Sequence, residues 1–503
     1  MRCSVPRDEF WTAWGHAQYN VGMTNPVLDA AVASRARRRV DDVVDPSTFL
    51  ELGARVSTTA AAYGPPRPPA PGDGVVAGVG EIGGRPVAVY AQDPGVVGGS
   101  LGVMHAKKIA HVMGLAERSG CPIVGLLDSG GARIQEGVAA LDGYGDIFRA
   151  NALLSGRVPQ ISVILGSCAG GAAYSPGLTD IVIAVMGSQL FLTGPRVVKA
   201  AVFEDVSAAE LGGAEMHASR TGLVHLLARD DGHAAELCRD VLSYLPSSCD
   251  RRPPDAPAQD PLPIASVPVN QRIPYDVRTV LAGIVDGGRF LELQAGFARN
   301  MVIGFARVEG TAVGVVANQP MSRCGVIDSN AAEKAARFVR LCDAFGLPLV
   351  TLVDTPGFLP GTGQEHGGVV RRGAKLLYAY SEATVPRVTV ILRKAFGGAY
   401  IVMNSKGLGA DAVFAWPTAQ VAVMGSQQAV EILHRRDLAA DPGLRDGLAA
   451  GYEAEVMAPE TAAGGMSVDA VIAPEDTRAV VARTLRALDG AREFRYRHGN
   501  MPL

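Results

Sequence analysis

Cysteine is sparse and unpatterned in this chain: seven residues (Cys3, Cys121, Cys168, Cys238, Cys249, Cys324 and Cys342), an odd number with no C-x-x-C pair. That argues against a zinc ribbon or a disulfide framework and leaves buried or incidental thiols. An excess of one charge is also missing. Lys and Arg number 47 against 50 Asp and Glu, so there is no global basic field for nucleic acid, although local basic sites for an anionic ligand stay open. No uninterrupted apolar run is long enough to span a bilayer. The opening MRCSVPRDEFWTAW lacks the basic-then-apolar order of a secretory leader. The expectation is a soluble protein of the reducing cytoplasm, with no nucleic-acid or membrane partner. Aromatics make up only 6% while glycines number 60, a balance that points to many tight turns and close backbone approaches.

At 503 residues the chain exceeds what one core usually organises. Residues 1–24 match nothing else in the chain and read as an N-terminal extension. VASRARRRVDDVVDP (32–46) reads as a helix ended by Pro46, and STTAAAYGPPRPPAPGDG (57–74) as an exposed Pro-rich loop. GVVAGVGEIGGRPVAVYAQD (74–93) alternates like a hairpin turning at Gly83-Gly84. SYLPSSCDRRPPDAPAQDPLP (243–263) has six prolines and little to bury, and reads as a linker. It nearly halves the chain, giving domains at 25–255 and 256–503.

The two halves repeat each other. VPQISVILGSCAGGAAY (158–174) returns as VPRVTVILRKAFGGAY (385–400), 227 residues later, and GLLDSGGARIQEG from Gly125 returns as TLVDTPGFLPGTG from Thr351. Asp128 precedes Gly171 by 43 residues, as Asp354 precedes Gly397. Short apolar strands alternating with helical stretches indicate parallel β-α units. The expected fold is α/β, as a duplicated domain.

In each copy a β-branched strand runs into a Gly-Gly turn that opens a helix. Glycines there can serve only helix–strand packing. They can also let a ligand approach the first helical amides, which lack intrahelical partners and carry the positive end of the helix dipole. Two matched copies favour two oxyanion holes, hence two carbonyl-type reactants and a transfer between them. Two rivals carry less. Gly78 to Gly83 matches G-x-G-x-x-G, but strand-like RPVAVYA comes next instead of a helix, which argues against a dinucleotide site. Gly98 to Gly102 matches the G-x-S-x-G of a serine hydrolase, but no His and acid accompany it and the duplication is left unexplained.

DSGGARIQEGVAALDGYGDIF, VPQISVILGSCAGGAAYSPGLTD and FLTGP resemble the N-terminal half of the biotin-dependent acyl-CoA carboxyltransferases, the β subunits of acetyl-/propionyl-CoA carboxylases. EKAARFVRLCDAFGLPLVTLVDTPGFLPGTGQEHGGVVRRGAKLLYAYSEATVP, RKAFGGAY and AWPTAQVAVMGSQQAVEILHRR resemble the C-terminal half. The likeness runs from about residue 35 to the terminal HGNMPL. It implies two crotonase-like (ClpP/crotonase) domains, a homo-hexamer, and an active site between the N-domain of one chain and the C-domain of another. Acyl-CoA then lies on the N-domain side and carboxybiotin on the C-domain side. By motif position, Gly170 and Gly171 supply amides to the acyl thioester oxygen, and Gly398 and Ala399 supply amides to the biotin ureido oxygen. Gly130, Gly131 and Ala132 complete the acyl pocket, or form only a structural turn. Arg133 is expected in a salt bridge rather than on CoA. The Lys107-Lys108 pair reads as a solvated helix face.

Three stretches depart from the family pattern. Ile401 stands directly after GGAY where propionyl-type members often carry Asp, which reshapes the acyl pocket and leaves the acyl group open. ASRARRRV and the Pro94-Gly95 of QDPGVVGG also differ from the usual sequences. The chain has no Met-Lys dipeptide for biotin attachment and no Walker motif, so biotin and ATP chemistry fall to a biotin carboxylase/biotin carrier (α) subunit. No metal site is expected. Oxyanion stabilisation also serves the reverse reaction, so a malonyl- or methylmalonyl-CoA decarboxylase or a transcarboxylase is the close alternative, and a non-catalytic assembly subunit a remoter one.

Overall fold

The structure, a computed structural model, describes residues 34–57 and 70–490. The proposed N-terminal extension, most of the Pro-rich loop and the closing HGNMPL lie outside the described residues. Helix α1 (Arg35–Val43) forms where expected. Ser34 caps it through its Oγ, which accepts from the Arg37 amide, and Val44 ends it in extended backbone ahead of Pro46.

The described residues form two mixed sheets of the same plan. The first comprises β1 (Leu50–Glu51), β2 (Val75–Ile82), β3 (Arg85–Gln92), β4 (Ile123–Ser129), β5 (Gln160–Ala169), β6 (Ile181–Val185), β7 (Gln189–Phe191) and β8 (Leu226–Ala228). The second comprises β9 (Leu291–Leu293), β10 (Met301–Val308), β11 (Thr311–Asn318), β12 (Leu349–Thr355), β13 (Arg387–Phe396), β14 (Ala412–Ala415), β15 (Gln420–Ala422) and β16 (Ala470–Val471). In each, an antiparallel hairpin leads into parallel strands: β2-β3 then β4, β5 and β6, against β10-β11 then β12, β13 and β14. The β2-β3 turn is Gly83-Gly84, both at positive φ, as the sequence pattern requires. Principal crossover helices are α2 (Val103–Ser119) and α3 (Val138–Leu154) in the first half, and α4 (Ser329–Ala344) and α5 (Val369–Glu382) in the second. The fold is a duplicated crotonase-like α/β domain.

The duplication extends to backbone detail. Both central ladders slip register at the same point, between Leu127 and Ser129 and between Val353 and Thr355. Leu101 bridges Ala132 as Ile327 bridges Phe358. Positive φ recurs in pairs: Gly98 and Cys324 at 63° and 55°, Gly99 and Gly325 at 68° and 75°, Gly170 and Gly397 at 60° and 58°. The last pair revises the spacing argument. Gly397 corresponds to Gly170, not Gly171, because the second half holds one more residue between its Asp turn and its Gly-Gly turn.

The halves share one continuous apolar core. Tyr244 stacks on Phe305 at 5.8 Å, and residues such as Leu126, Val163, Val316 and Phe338 belong to the same cluster. The 243–263 segment is less free than a linker. Tyr244 and Leu245 are buried, and the segment is strapped along the second half by its carbonyls. Arg307 donates to the Ser243 and Pro254 carbonyls at 2.7 Å, and Arg478 to that of Gln259 at 2.9 Å. Proline removes N–H donors but leaves acceptors, and arginines from the second half use them.

A Cβ on Gly99 would stand 2.0 Å from the Asp128 carbonyl oxygen, and one on Gly325 would stand 2.4 Å from that of Asp354. Neither backbone can move without breaking the turn, and both φ values are positive. Gly99→Ala and Gly325→Ala are each expected to destabilise the protein by about 3 kcal/mol. Scanning fluorimetry should show a lowered melting midpoint in both. Gly447→Ala is the control: Gly447 has open space around it and lies in the helix Arg445–Tyr452, so its midpoint should hold or rise.

Candidate active site

Strand β5 ends at Ala169, and Gly170–Ala173 turn into the short helix Tyr174–Leu178. Strand β13 ends at Phe396, and Gly397–Val402 form helix α6. The amides that open each turn have no partner inside the helix. Gly398 is exposed, Gly170 and Gly171 are half-buried, and Ala399 is buried. By the backbone correspondence, Gly398 and Ala399 are the equivalents of Gly171 and Ala172.

The Asp turn of each half packs against the Gly-Gly turn of the same half. A Cβ on Gly131 would lie 2.9 Å from the Ala169 carbonyl oxygen, and one on Gly398 would lie 3.8 Å from the Phe358 ring. The residues that flank the turns differ. Ala132 is the small counterpart of Phe358, whose ring lies along Gly398. The first turn has instead Tyr144, whose ring sits where a Cβ on Gly171 would fall (2.7 Å). Tyr144 stacks on Phe148 at 5.7 Å, and Phe148 meets Tyr174 edge-on at 6.0 Å. This aromatic edge comes from DGYGDIF on α3. Sequence reasoning missed it because helical spacing alone does not say which turn a helix face will meet.

Amides in the DSGGAR loop are partly committed. The Gly130 N–H donates to the Gly98 carbonyl at 3.0 Å, and the Gly131 N–H to Ser129 Oγ at 3.2 Å. These two glycines shape the loop beside Gly170. Arg133 is a buried ion-pair hub as expected: its Nη1 is 2.7 Å from both Asp73 Oδ1 and Glu136 Oε1, and Nη2 donates to the Ser100 carbonyl at 3.1 Å. Lys108 departs from the solvated face expected of it. It is buried and donates to the carbonyls of Val75 at 2.5 Å and Gly72 at 3.2 Å. Ile401 follows Tyr400 on α6 and is 46% exposed.

Under each Asp turn lies a buried carboxylate, but its cations come from different places. Arg39 on α1 donates to Asp128 at 2.9 Å and also to Asp231 at 2.9 Å. A Cβ on Gly166 would fall 2.2 Å from the Asp128 carboxylate, so the β5 strand keeps a glycine there. In the second half β13 itself supplies the charge. Arg393 Nε donates to Asp354 at 2.8 Å and Lys394 Nζ lies 3.2 Å away.

Titratable chemistry near the turns is muted. Burial and the Asp128 charge push the Cys168 thiol far up, so it is not a nucleophile at neutral pH. Burial pushes His105 down to about 3, so it is neutral. Its Nδ1 is 3.1 Å from the Asp73 carbonyl. Ser100 of the G-x-S-x-G match donates its hydroxyl to the Val97 carbonyl at 2.7 Å, and the serine-hydrolase alternative falls with it. The G-x-G-x-x-G match lies on β2 and its hairpin turn, not before a helix. What the site offers a reactant is backbone N–H groups in two twin turns.

The carboxyl transferase domain family matches residues 33–501. Over 492 residues the chain is 51% identical to a propionyl-CoA carboxylase beta chain of Saccharopolyspora erythraea, covering 93% of this chain and 90% of that protein. It is 48% identical over 477 residues to a methylmalonyl-CoA decarboxylase subunit alpha of Veillonella parvula, covering 93% of both. Among solved structures, transcarboxylase 12S, described as a hexamer with methylmalonyl-coenzyme A and methylmalonic acid bound, superposes with a TM-score of 0.90 at 45% identity, covering 95% of each chain.

Asp354→Asn leaves Arg393 and Lys394 buried beside a neutral amide, whereas Asp128→Asn leaves Arg39 its second carboxylate, Asp231. Removing one partner of a buried ion pair costs about 3–5 kcal/mol. The melting midpoint is therefore expected to fall clearly further in Asp354→Asn than in Asp128→Asn. Equal falls would contradict the asymmetric charge supply.

Proposed function

Because this chain belongs to the carboxyl transferase family, we propose that its two Gly-Gly turns are paired oxyanion holes serving two different reactants. The chain is the carboxyltransferase subunit of a biotin-dependent acyl-CoA carboxylase, adding a carboxyl group to the α-carbon of a short or medium acyl-CoA. Residues 25–255 form the acyl-CoA side and residues 256–503 the carboxybiotin side. Carboxybiotin, brought by a biotin carboxylase/biotin carrier subunit, supplies CO2 when its ureido oxygen can hold negative charge.

The observation that carries this reading is the matched pair of turns, φ-equivalent at Gly170 and Gly397, each presenting helix-opening amides without intrahelical partners. In the first half, the Gly170 and Gly171 amides hold the thioester oxygen as charge develops on it, with Gly130, Gly131 and Ala132 beside them. In the second, the Gly398 and Ala399 amides hold the ureido oxygen, and the Phe358 ring offers a planar group an apolar wall. Each such donor contributes about 3–4 kcal/mol where charge develops. The Cys168 thiol stays protonated and burial leaves His105 too weak a base to take the α-proton, so the chain's part is to bind, align and stabilise charge. Ile401, exposed beside the second turn, reshapes the acyl pocket.

Exposed apolar side chains lie at both turns: Tyr174 and Leu192 at the first, Ile401 and Val423 at the second. Exposed apolar surface beside a site suits an interface. It supports a site completed by a neighbouring copy in a homo-hexamer. Free thiols such as Cys121, Cys168 and Cys342 and the acyl-CoA substrate suit a cytoplasmic location.

Proline in the first turn of a helix removes an N–H that the helix does not use, and Gly398 has room for it, with the Phe358 ring the nearest neighbour of a Cβ there. Gly398→Pro is expected to slow biotin-dependent loss of the carboxyl group from malonyl- or methylmalonyl-CoA by about 10²–10³-fold. Gly398→Ala, which keeps the amide, should stay within a few-fold of the parent. Mass spectrometry of the acyl-CoA with and without free biotin provides the readout. Unchanged turnover in Gly398→Pro would remove that amide from the mechanism, and biotin-independent loss would favour a free-standing decarboxylase.

A further inference from the structure

The first Gly-Gly turn is gripped by a single helix. Tyr144, Phe148 and Asn151 stand at i, i+4 and i+7 along α3, the spacing that puts three side chains on one face. Each meets the turn or the short helix that follows it. The Tyr144 ring lies 2.7 Å from where a Cβ on Gly171 would fall. Phe148 meets Tyr174 edge-on at 6.0 Å, and Asn151 Oδ1 accepts the Ser175 hydroxyl at 2.8 Å. Stacking at 5.7 Å joins Tyr144 to Phe148.

The closest of these contacts explains a glycine. Gly170 and Gly397 open their turns at positive φ, but Gly171 and Gly398 do not, so backbone conformation does not demand glycine at either second position. At Gly398 a Cβ would have ordinary room, 3.8 Å from the Phe358 ring. At Gly171 it would meet three atoms of the Tyr144 ring at 2.7, 2.8 and 3.0 Å. Glycine is needed there so that the ring face can lie against the Cα that carries the amide.

The two halves fill the space beside the turn in opposite ways. In the first, the Asp loop carries the small Ala132 and the helix carries Tyr144. In the second, the Asp loop carries Phe358, and α5 carries Gly373, where a Cβ would lie 3.2 Å from the Phe358 ring. An aromatic ring thus meets the second glycine of each turn, supplied by a different element each time. The same contact reached from two elements is a feature of the turn, not ordinary filling of the core.

We propose that Tyr144 is a positioning residue for the acyl-side turn: its ring holds Gly171 so that the Gly171 N–H is already aimed where the thioester oxygen becomes charged. This rests on the carboxyltransferase reading above. Tyr144 is 4% exposed, so it acts through Gly171 and does not touch the substrate. An amide aimed in advance needs no reorganisation when charge appears, and it favours the enolate over the neutral thioester. Without the ring, Gly171 regains the freedom of a residue that lacks a Cβ. The neutral thioester then binds as before, and the enolate loses its advantage.

The test uses the full chain and titration calorimetry with two ligands. One is neutral propionyl-CoA. The other is its α-nitro analogue, which ionises to a nitronate that shares its charge with the carbonyl oxygen. The parent protein should bind the nitronate more tightly. Tyr144→Leu is expected to lower that preference about tenfold, the scale of a small misplacement of one donor. Its propionyl-CoA dissociation constant should stay within about twofold of the parent value, since only the interaction with developed charge is lost. Tyr144→Phe, which keeps the ring, should retain the preference. A ratio of two dissociation constants does not depend on how much of the sample is folded, so lost stability alone would not move it. Tyr144→Met, which refills the space with a flexible chain, gives the same test if Tyr144→Leu does not fold. A full preference in folded Tyr144→Leu or Tyr144→Met would overturn the proposal and leave the carboxyltransferase reading standing. An equal loss in Tyr144→Phe would assign the effect to the hydroxyl and overturn it too. A parent protein with no preference for the nitronate would remove the acyl-side oxyanion hole, and both the reading and the proposal with it.

Discussion

A carboxylate enclosed without water must be met by cations and donors, and Asp128 and Asp354 impose that requirement on both halves. Each closes a central strand just where the chain must leave the sheet, bend over the neighbouring strand and present a loop to the Gly-Gly turn. Its backbone carbonyl is touched by a glycine that admits no Cβ (Gly99 or Gly325), and its amide is held by a side-chain oxygen from the preceding hairpin, Gln92 or Asn318. Strand end, glycine loop and Gly-Gly turn are thus fixed relative to one another by one buried charge per half. The cradle is stiff because any shift would expose that charge or strand it.

The two copies then diverge in how the charge is met. The first draws on Arg39 from a helix well outside the sheet, shares it with Asp231, and needs Gly166 to clear the way. The second carries Arg393 and Lys394 on the strand itself. The flanking residues diverge too, with Ala132 and the Tyr144 edge on one side and the Phe358 wall on the other. A duplicated frame with different walls is what the proposed handling of an acyl thioester at one turn and a flat ureido ring at the other would require: common backbone groups, and side chains that differ.

Much of this was legible in the residues. The hairpin at Gly83-Gly84, the α1 helix ended before Pro46, the duplication and the strand–Gly-Gly–helix turns follow from local rules of turn chemistry and periodicity. Long motifs such as DSGGARIQEG and LVDTPGFLPGTG carried the family. Other features were not legible. Lys108 reads as half of a solvated pair but turns inward, because the carbonyls that receive it belong to residues more than thirty positions earlier. The Pro-rich stretch reads as having nothing to bury, yet arginines of the second half take its carbonyls. Equal spacing from Asp128 and Asp354 matched Gly171 with Gly397, although one extra residue in the second copy makes Gly170 the true counterpart.

Sequence alone determined the things that depend on near neighbours: which stretches turn, which strands precede a helix-opening pair of amides, and that the unit occurs twice. Tertiary structure alone decided which charge meets which. Arg39 finds Asp128, Tyr144 covers Gly171, and Arg337 reaches the Thr179 and Asp180 carbonyls across the seam. Those pairings depend on how two sheets and their helices pack, and contacts across tens to hundreds of residues leave no local pattern in the chain.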